Sequence, residues 1–193
     1  MLLSGFVNSD GLWNLLRYFA RVKPMKLLAL LLSTILLLSA CDQIKGDSLM
    51  TLTTAPNFIL LDQDSKSHQL SDYSKQYVLI YFYPKDDTPG CTKEACMIRD
   101  TYSGFQERNI QVFGISADSP ESHKKFIEKY HLPFTLLSDE KKEVAKLYNT
   151  DGIFLKRISY LIAPGGKVLN FYPKVDPANH AAEILADFDK VAK

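Results

Sequence analysis

Cysteine is scarce: the 193-residue chain has three. That excludes a disulfide-stapled scaffold and a four-thiolate zinc site, so Cys41, Cys91 and Cys96 each need a separate explanation. Neither sign of charge is in surplus, with 23 Lys+Arg against 22 Asp+Glu. A basic excess would point to nucleic acid and an acidic block to a solvating tail, so neither is indicated and no nucleic-acid partner is expected. Internal repeats and low-complexity tracts are missing after residue 41. What the chain does have is apolar content, 46% with 11% aromatic, which excludes a disordered protein. Its length suits one domain with an appendage.

The apolar residues are unevenly placed. Residues 27–40 (LLALLLSTILLLSA) carry no charge and follow Arg17, Arg21, Lys23 and Lys26. A membrane-spanning helix needs about 20 apolar residues, so this run is short for a permanent span. A basic stretch, a short leucine-rich core and small residues form the pattern of an export signal, and leucine on every face argues against an amphipathic core helix. The end of the run, Leu38-Ser39-Ala40-Cys41, resembles the bacterial lipobox, whose cysteine receives a diacylglyceryl group and becomes the mature N-terminus. Asp42 resembles the inner-membrane retention signal of enteric bacteria. The expectation is a protein of the bacterial cell envelope, lipid-anchored through Cys41 at the periplasmic face of the inner membrane. More than one acyl chain makes such anchoring stable. Met25-Lys26 would open a compact signal by itself, so translation from Met25 stands beside translation from Met1. Residues 41–55 are polar and read as a flexible tether, with a root-mean-square reach of roughly 20 Å. Residues 56–193 form the expected folded domain, long enough for one core.

Within that domain, residues 58–61 (FILL) read as a short strand and 65–70 as the weakly alternating arm of a surface hairpin. Residues 77–83 (YVLIYFY) are continuously apolar and end at Pro84. That is the pattern of a strand buried on both faces at the centre of a sheet. A helical stretch is expected over 91–107, a buried strand over 110–116 and a helix over 118–130, with Pro120 near its first turn. A short strand (134–137) and a short helix (140–148) follow. Strands over 158–163 and 167–172 flank Pro164-Gly165-Gly166, a hairpin signal, and a last helix covers 177–192. This order predicts an α/β domain of thioredoxin-like arrangement, a mixed central sheet flanked by helices. Fold alone does not give function.

The chemistry is concentrated in residues 83–96 (YPKDDTPGCTKEAC), which leave the carboxyl end of the central strand and open a helix. Open α/β sheets place ligand sites there. Cys91 falls at the helix N-terminus, where free backbone N–H groups and the positive helix end stabilise a thiolate, the nucleophilic form of cysteine. Cys96 lies five residues on, so this is not the C-x-x-C of a dithiol oxidoreductase. In an intact helix that spacing holds the Cα atoms roughly 8.7 Å apart. A disulfide needs them within about 7 Å, so bonding the pair requires unwinding the helix start. The two positions make Cys91 the attacker and Cys96 the resolver. Lys85, Asp86 and Asp87 read as a solvated turn. Glu94, in the first helical turn, reads as stabilising the helix end and fixing an arginine such as Arg99. His68, His123, His131 and His180 lack metal-ligand spacing and read as structural or solvated.

Thr88-Pro89-Gly90-Cys91-Thr92-Lys93-Glu94-Ala95-Cys96 resembles the active-site motif of the peroxiredoxins. The second cysteine five residues on is similar to the bacterioferritin comigratory protein, or peroxiredoxin Q, subgroup. The resemblance covers about residues 52–192 and includes Ala55-Pro56-Asn57-Phe58, Phe82-Tyr83-Pro84-Lys85 and Arg157-Ile158-Ser159-Tyr160-Leu161-Ile162. It implies a thiol-dependent peroxidase for hydrogen peroxide and organic hydroperoxides, with no metal, haem or flavin cofactor. Cys91 would be the peroxidatic cysteine, becoming a sulfenic acid. Thr88 would hydrogen-bond the thiolate and orient the peroxide, and Pro89 would shield the sulfur from water. Arg157 would stabilise the thiolate and the charge that grows on the oxygens. Cys96 would condense with the sulfenic acid into an intramolecular Cys91–Cys96 disulfide, which a thioredoxin-like dithiol reductant reopens. The resemblance also implies a monomer. Ala163-Pro164-Gly165-Gly166 departs from the acidic turn common in the family, and the lipobox departs from a subgroup that is mostly cytoplasmic.

Two rival classes share the fold or the anchor. A membrane-tethered, thioredoxin-fold copper-delivery protein would have three residues between its cysteines rather than four and lacks the Thr-Pro-Gly-Cys approach. A periplasmic thiol–disulfide oxidoreductase would need C-x-x-C.

Overall fold

The computed structural model describes residues 53–192. The expected export signal, Cys41 and the tether up to residue 52 lie outside the described residues. Elements are numbered in chain order. Strand β3 (Tyr77–Phe82) sets the frame, because its alternating side chains enter two different cores. Leu79 and Tyr81, with Tyr83 just beyond, join one cluster, while Val78, Ile80 and Phe82 join the other. Every residue from 78 to 83 is at most 1% exposed, as expected of a strand covered on both faces.

Around β3 the sheet holds β1 (Ile59–Asp62), β2 (Ser67–Gln69), β4 (Ile110–Ser116), β5 (Thr135–Ser138), β6 (Ile158–Ile162) and β7 (Val168–Tyr172), in the order β2-β1-β5-β4-β3-β6-β7. β3, β4 and β5 run parallel, while β6, β7, β1 and β2 pair antiparallel to their neighbours. The mixed sheet and the closing hairpin match expectation. The hairpin turns at Gly165 and Gly166, whose φ of 81° and 86° a side chain would strain. At Gly114 of β4 a Cβ would come within 2.6 Å of Tyr81 and Leu136, so glycine lets the Tyr81 ring cross the strand.

The helices are unequally divided. α1 (Pro89–Asp100), α2 (Tyr102–Glu107), α3 (Pro120–Tyr130) and α5 (His180–Val191) feed the cluster beside Tyr81, whereas α4 (Glu143–Leu147) caps the other face. The single helix expected over 91–107 is broken at Thr101, whose hydroxyl donates to the Met97 carbonyl at 2.8 Å. That side-chain bond competes with the backbone ladder at the break. α1 starts two residues before Cys91, with Pro89 in its first turn, where a missing N–H costs nothing. α5 starts at His180 rather than 177, because Asp176 first closes a turn onto Ala178 and Asn179. The last residues of the expected tether belong to the domain: Ala55 is buried, its N–H donates to Gly166, and Thr54 bridges Lys167.

Candidate active site

β3 ends at Phe82, and a six-residue connection delivers the chain to α1. Thr88 caps the helix with extended backbone, and its carbonyl accepts the Thr92 N–H at 2.8 Å. Cys91 therefore occupies the first turn, where backbone N–H groups have no intrahelical acceptor. Its side chain turns into the core and is 2% exposed. Arg157, immediately before β6, reaches across from the other side of β3. Its Nη2 donates to Cys91 Sγ at 3.1 Å and its Nη1 to Glu94 Oε2. Register explains the meeting, because Phe82 pairs with Ile158, placing the start of α1 beside the start of β6. Gly90 leaves room, since a Cβ there would approach Arg157 Nη2 to 3.3 Å.

Glu94 differs from expectation. It is fully buried and pairs with Arg157, while Arg99 bonds Asp100 and the Tyr130 carbonyl. Burial raises its pKa to about 7 against the opposing pull of Arg157. One turn of helix separates Glu94 from Cys91, so both lie on the same face, a spacing that was readable from sequence. Burial works against the Arg157 charge, but Glu94 and Cys91 outweigh it and hold the guanidinium protonated.

The remaining predicted residues are near but differently engaged. The Thr88 hydroxyl donates to the Lys85 carbonyl at 3.1 Å rather than to Cys91. Pro89 is exposed beside the helix start. Cys96 is half-buried on the same unbroken helix, and both cysteines are free thiols. The expected solvated turn is wrong at one of its three residues: Lys85 and Asp87 are exposed, but Asp86 is buried among Tyr83, Ser122 and His123. His180 was not read as part of this neighbourhood. It lies buried behind Arg157, bonded through Nε2 to Ser159 at 2.8 Å. Burial and then the Arg157 charge lower its pKa to about 4, so it is neutral and adds no cation beside Arg157. His68 is held between Asp62 and Tyr73, and His131 ends α3 with positive φ.

The arrangement provides a buried sulfur at a helix start with one guanidinium aimed at it, and a second thiol on the same helix. Both neighbours aim positive charge at one sulfur in a site shielded from water.

Comparison with known proteins agrees with this geometry. The model of the AhpC/TSA family matches residues 52–171. The chloroplastic peroxiredoxin Q of Oryza sativa subsp. japonica is 44% identical over 138 residues, covering 69% of this chain. The chain spans 64% of that relative's length, just under two thirds. A peroxiredoxin sequence named bcp from Coxiella burnetii is 42% identical over 140 residues, covering 68% of this chain and 93% of the relative. Among solved structures, peroxidoxin BcpB from Mycobacterium tuberculosis superposes with a TM-score of 0.68 at 33% identity, covering 72% of this chain and 95% of that one. A peroxiredoxin Q variant from Xylella fastidiosa gives 0.68 at 30% identity, over 77% and 96%. With a family model matching more than half its length and relatives 44% and 42% identical over more than two thirds of it, the chain belongs to the peroxiredoxin Q (BCP) branch of the AhpC/TSA family.

Proposed function

We propose that the chain is a thiol-dependent peroxidase that reduces hydrogen peroxide and organic hydroperoxides at Cys91. The observation that carries this is the 3.1 Å contact of Arg157 Nη2 with the buried Cys91 Sγ at the start of α1. The Cys91 thiolate attacks the distal peroxide oxygen. An S–O bond forms, the O–O bond breaks, and the departing alkoxide or hydroxide takes a proton to leave as alcohol or water. Arg157 is placed to hold the thiolate and to stabilise charge as it moves onto the oxygens. Thr88 and Pro89 border the approach, Thr88 being free to turn its hydroxyl from Lys85 to a bound peroxide. The Cys96 thiol then attacks the sulfenic sulfur, forming the Cys91–Cys96 disulfide and releasing water. A thioredoxin-like dithiol returns both cysteines to thiols by exchange.

Around this core, the lipobox supports anchoring through a diacylated Cys41 at the periplasmic face of the inner membrane. The catalytic unit is proposed to act as a monomer. A copper-delivery role is disfavoured because the guanidinium against Cys91 repels a second cation there.

The test is peroxide consumption by the full chain with a dithiol reductant. Cys91→Ser should abolish turnover. Cys96→Ser should accumulate a sulfenic acid at Cys91 that dimedone traps. Labelling at Cys96 in the Cys91→Ser protein would reverse the two roles.

A further inference from the structure

The loop that delivers Cys91 is fastened to α3 as well as to its own helix. Asp86, five residues before Cys91, is 7% exposed, and its carboxylate accepts three hydrogen bonds. These come from Tyr83 Oη at 2.7 Å, Ser122 Oγ at 2.7 Å and His123 Nδ1 at 2.9 Å. The Asp86 N–H donates to Asp118 Oδ2 at 2.8 Å, and Asp118 in turn accepts from Ser116 Oγ. The next residue, Asp87, has a positive φ of 55° and accepts from Lys129 Nζ and Tyr130 Oη, both at 2.6 Å. Two successive loop residues thus grip opposite ends of α3.

His123 is the least expected member. It is fully buried, its Nε2 has no partner among the described residues, and its close contacts run through Nδ1 to Asp86 and, at 3.4 Å, to Tyr83. A carboxylate only accepts, so the ring presents an N–H at Nδ1. An unpartnered ring nitrogen in a core is a cost, and the bond to Asp86 is what the ring's placement secures.

We propose that Asp86, held by His123, is a positioning residue of the peroxidase cycle: it seats residues 88–91 for attack on peroxide and restrains the unwinding of α1. This rests on the assignment of Cys91 and Cys96 given above. The physical reason is entropic. While residues 86 and 87 are pinned, a released segment gains freedom only beyond Thr88; an unpinned loop gains freedom over its whole length and favours the unwound form.

The sulfenic acid at Cys91 has two fates that read out this balance. Attack by the Cys96 thiol forms S–S and expels water, and requires unwinding. Attack by the sulfenic sulfur on a second peroxide breaks that O–O bond, releases alcohol or water, and gives a sulfinic acid with the loop still seated.

The full chain would be challenged with hydrogen peroxide in the presence of a dithiol, and sulfinic acid and disulfide at Cys91 counted by mass spectrometry. His123→Ala should slow oxidation of Cys91 about tenfold and lower the sulfinic-to-disulfide ratio at least about threefold, both within the net range of one hydrogen bond. Ser122→Ala, a milder loss at the edge of the cluster, should move both in the same direction. His123→Asn, whose amide can replace the Nδ1 donor, should return both towards wild type. Slower attack with an unchanged ratio in both truncations would reduce the cluster to ordinary scaffolding and overturn the proposal. A wild-type protein that never forms the Cys91–Cys96 disulfide would instead overturn the cysteine assignment, and the proposal with it.

Discussion

Arg157 divides one guanidinium between a sulfur and a carboxylate, and that division sets what single substitutions should do. Lysine offers a point charge on a flexible stem and cannot reproduce the planar fork. Arg157→Lys should therefore slow oxidation of Cys91 about 100-fold, as loss of an aimed donor does. Stopped-flow measurement against hydrogen peroxide checks this, and a change below about threefold would detach Arg157 from the chemistry. Glu94 gives a pH signature. Its pKa rises from an ordinary 4.5 to about 7 on folding, chiefly through burial. Between those values the folded chain binds the proton that the unfolded chain has lost, so this contribution to stability is present at low pH and fades as pH rises through 7. Glu94→Gln removes the effect. The stability of the glutamine variant relative to wild type should thus increase from pH 5 to pH 8, measured by urea unfolding at both; a constant difference would contradict it. Sequence made Cys91 and Cys96 readable because their chemistry depends on a local spacing. It did not pair Glu94 with Arg157, 63 positions away, because that contact is made by sheet register and not by neighbours along the chain.

At the scale of elements, α1 is intact from Pro89 to Asp100, with both thiols free. Disulfide formation must unwind its start, as the separation of roughly 8.7 Å in a regular helix requires. Amide exchange over residues 91–97 should rise in the disulfide form relative to the dithiol form, while β3 stays protected. Equal protection in both forms, with the disulfide confirmed by mass, would exclude the unwinding. The sheet beneath is far less forgiving. Gly114→Ala would drive a methyl into the buried Tyr81 ring and Leu136, and should cost about 1–3 kcal/mol in denaturant unfolding, the usual range for an overfilled core. The strands were legible because continuous apolar runs have few other uses in a soluble domain. The helix break at Thr101 was not, because a threonine inside a helical pattern gives no sign of whether its hydroxyl will turn back on the ladder. Asp86 was misread for a related reason: charge in a turn looks solvated until the helix that covers it is known.

On the scale of the whole molecule, the two faces of the sheet have different tasks. One carries α1, α2, α3 and α5 and the site between them; the other holds α4 and an aromatic group centred on Tyr148 and Tyr160. The mixed sheet was predictable from the order of elements, but the seat of β1 beside β5 was not, since no local pattern says which edge a hairpin will join. The lipid anchor carries its own expectation. Full-length protein made in a bacterium should sediment with membranes and bear an acyl mass at Cys41, and Cys41→Ala should release it. An unmodified, soluble chain would refute the anchor and leave the peroxidase reading intact.

The chain enters the domain at Thr53 and Thr54, against Lys167 and Val168, at the Ile162 end of β6, whereas Arg157 stands at the other end of that strand. The strand between them spans roughly 13 Å. A pull on the N-terminal segment is therefore borne by the backbone bonds to Gly166 and Val168 at the β6–β7 hairpin. It would not pass through the start of α1, which the proposed cycle requires to open and close. On the proposed anchor and cycle, mechanical load and redox motion would fall at opposite ends of one strand.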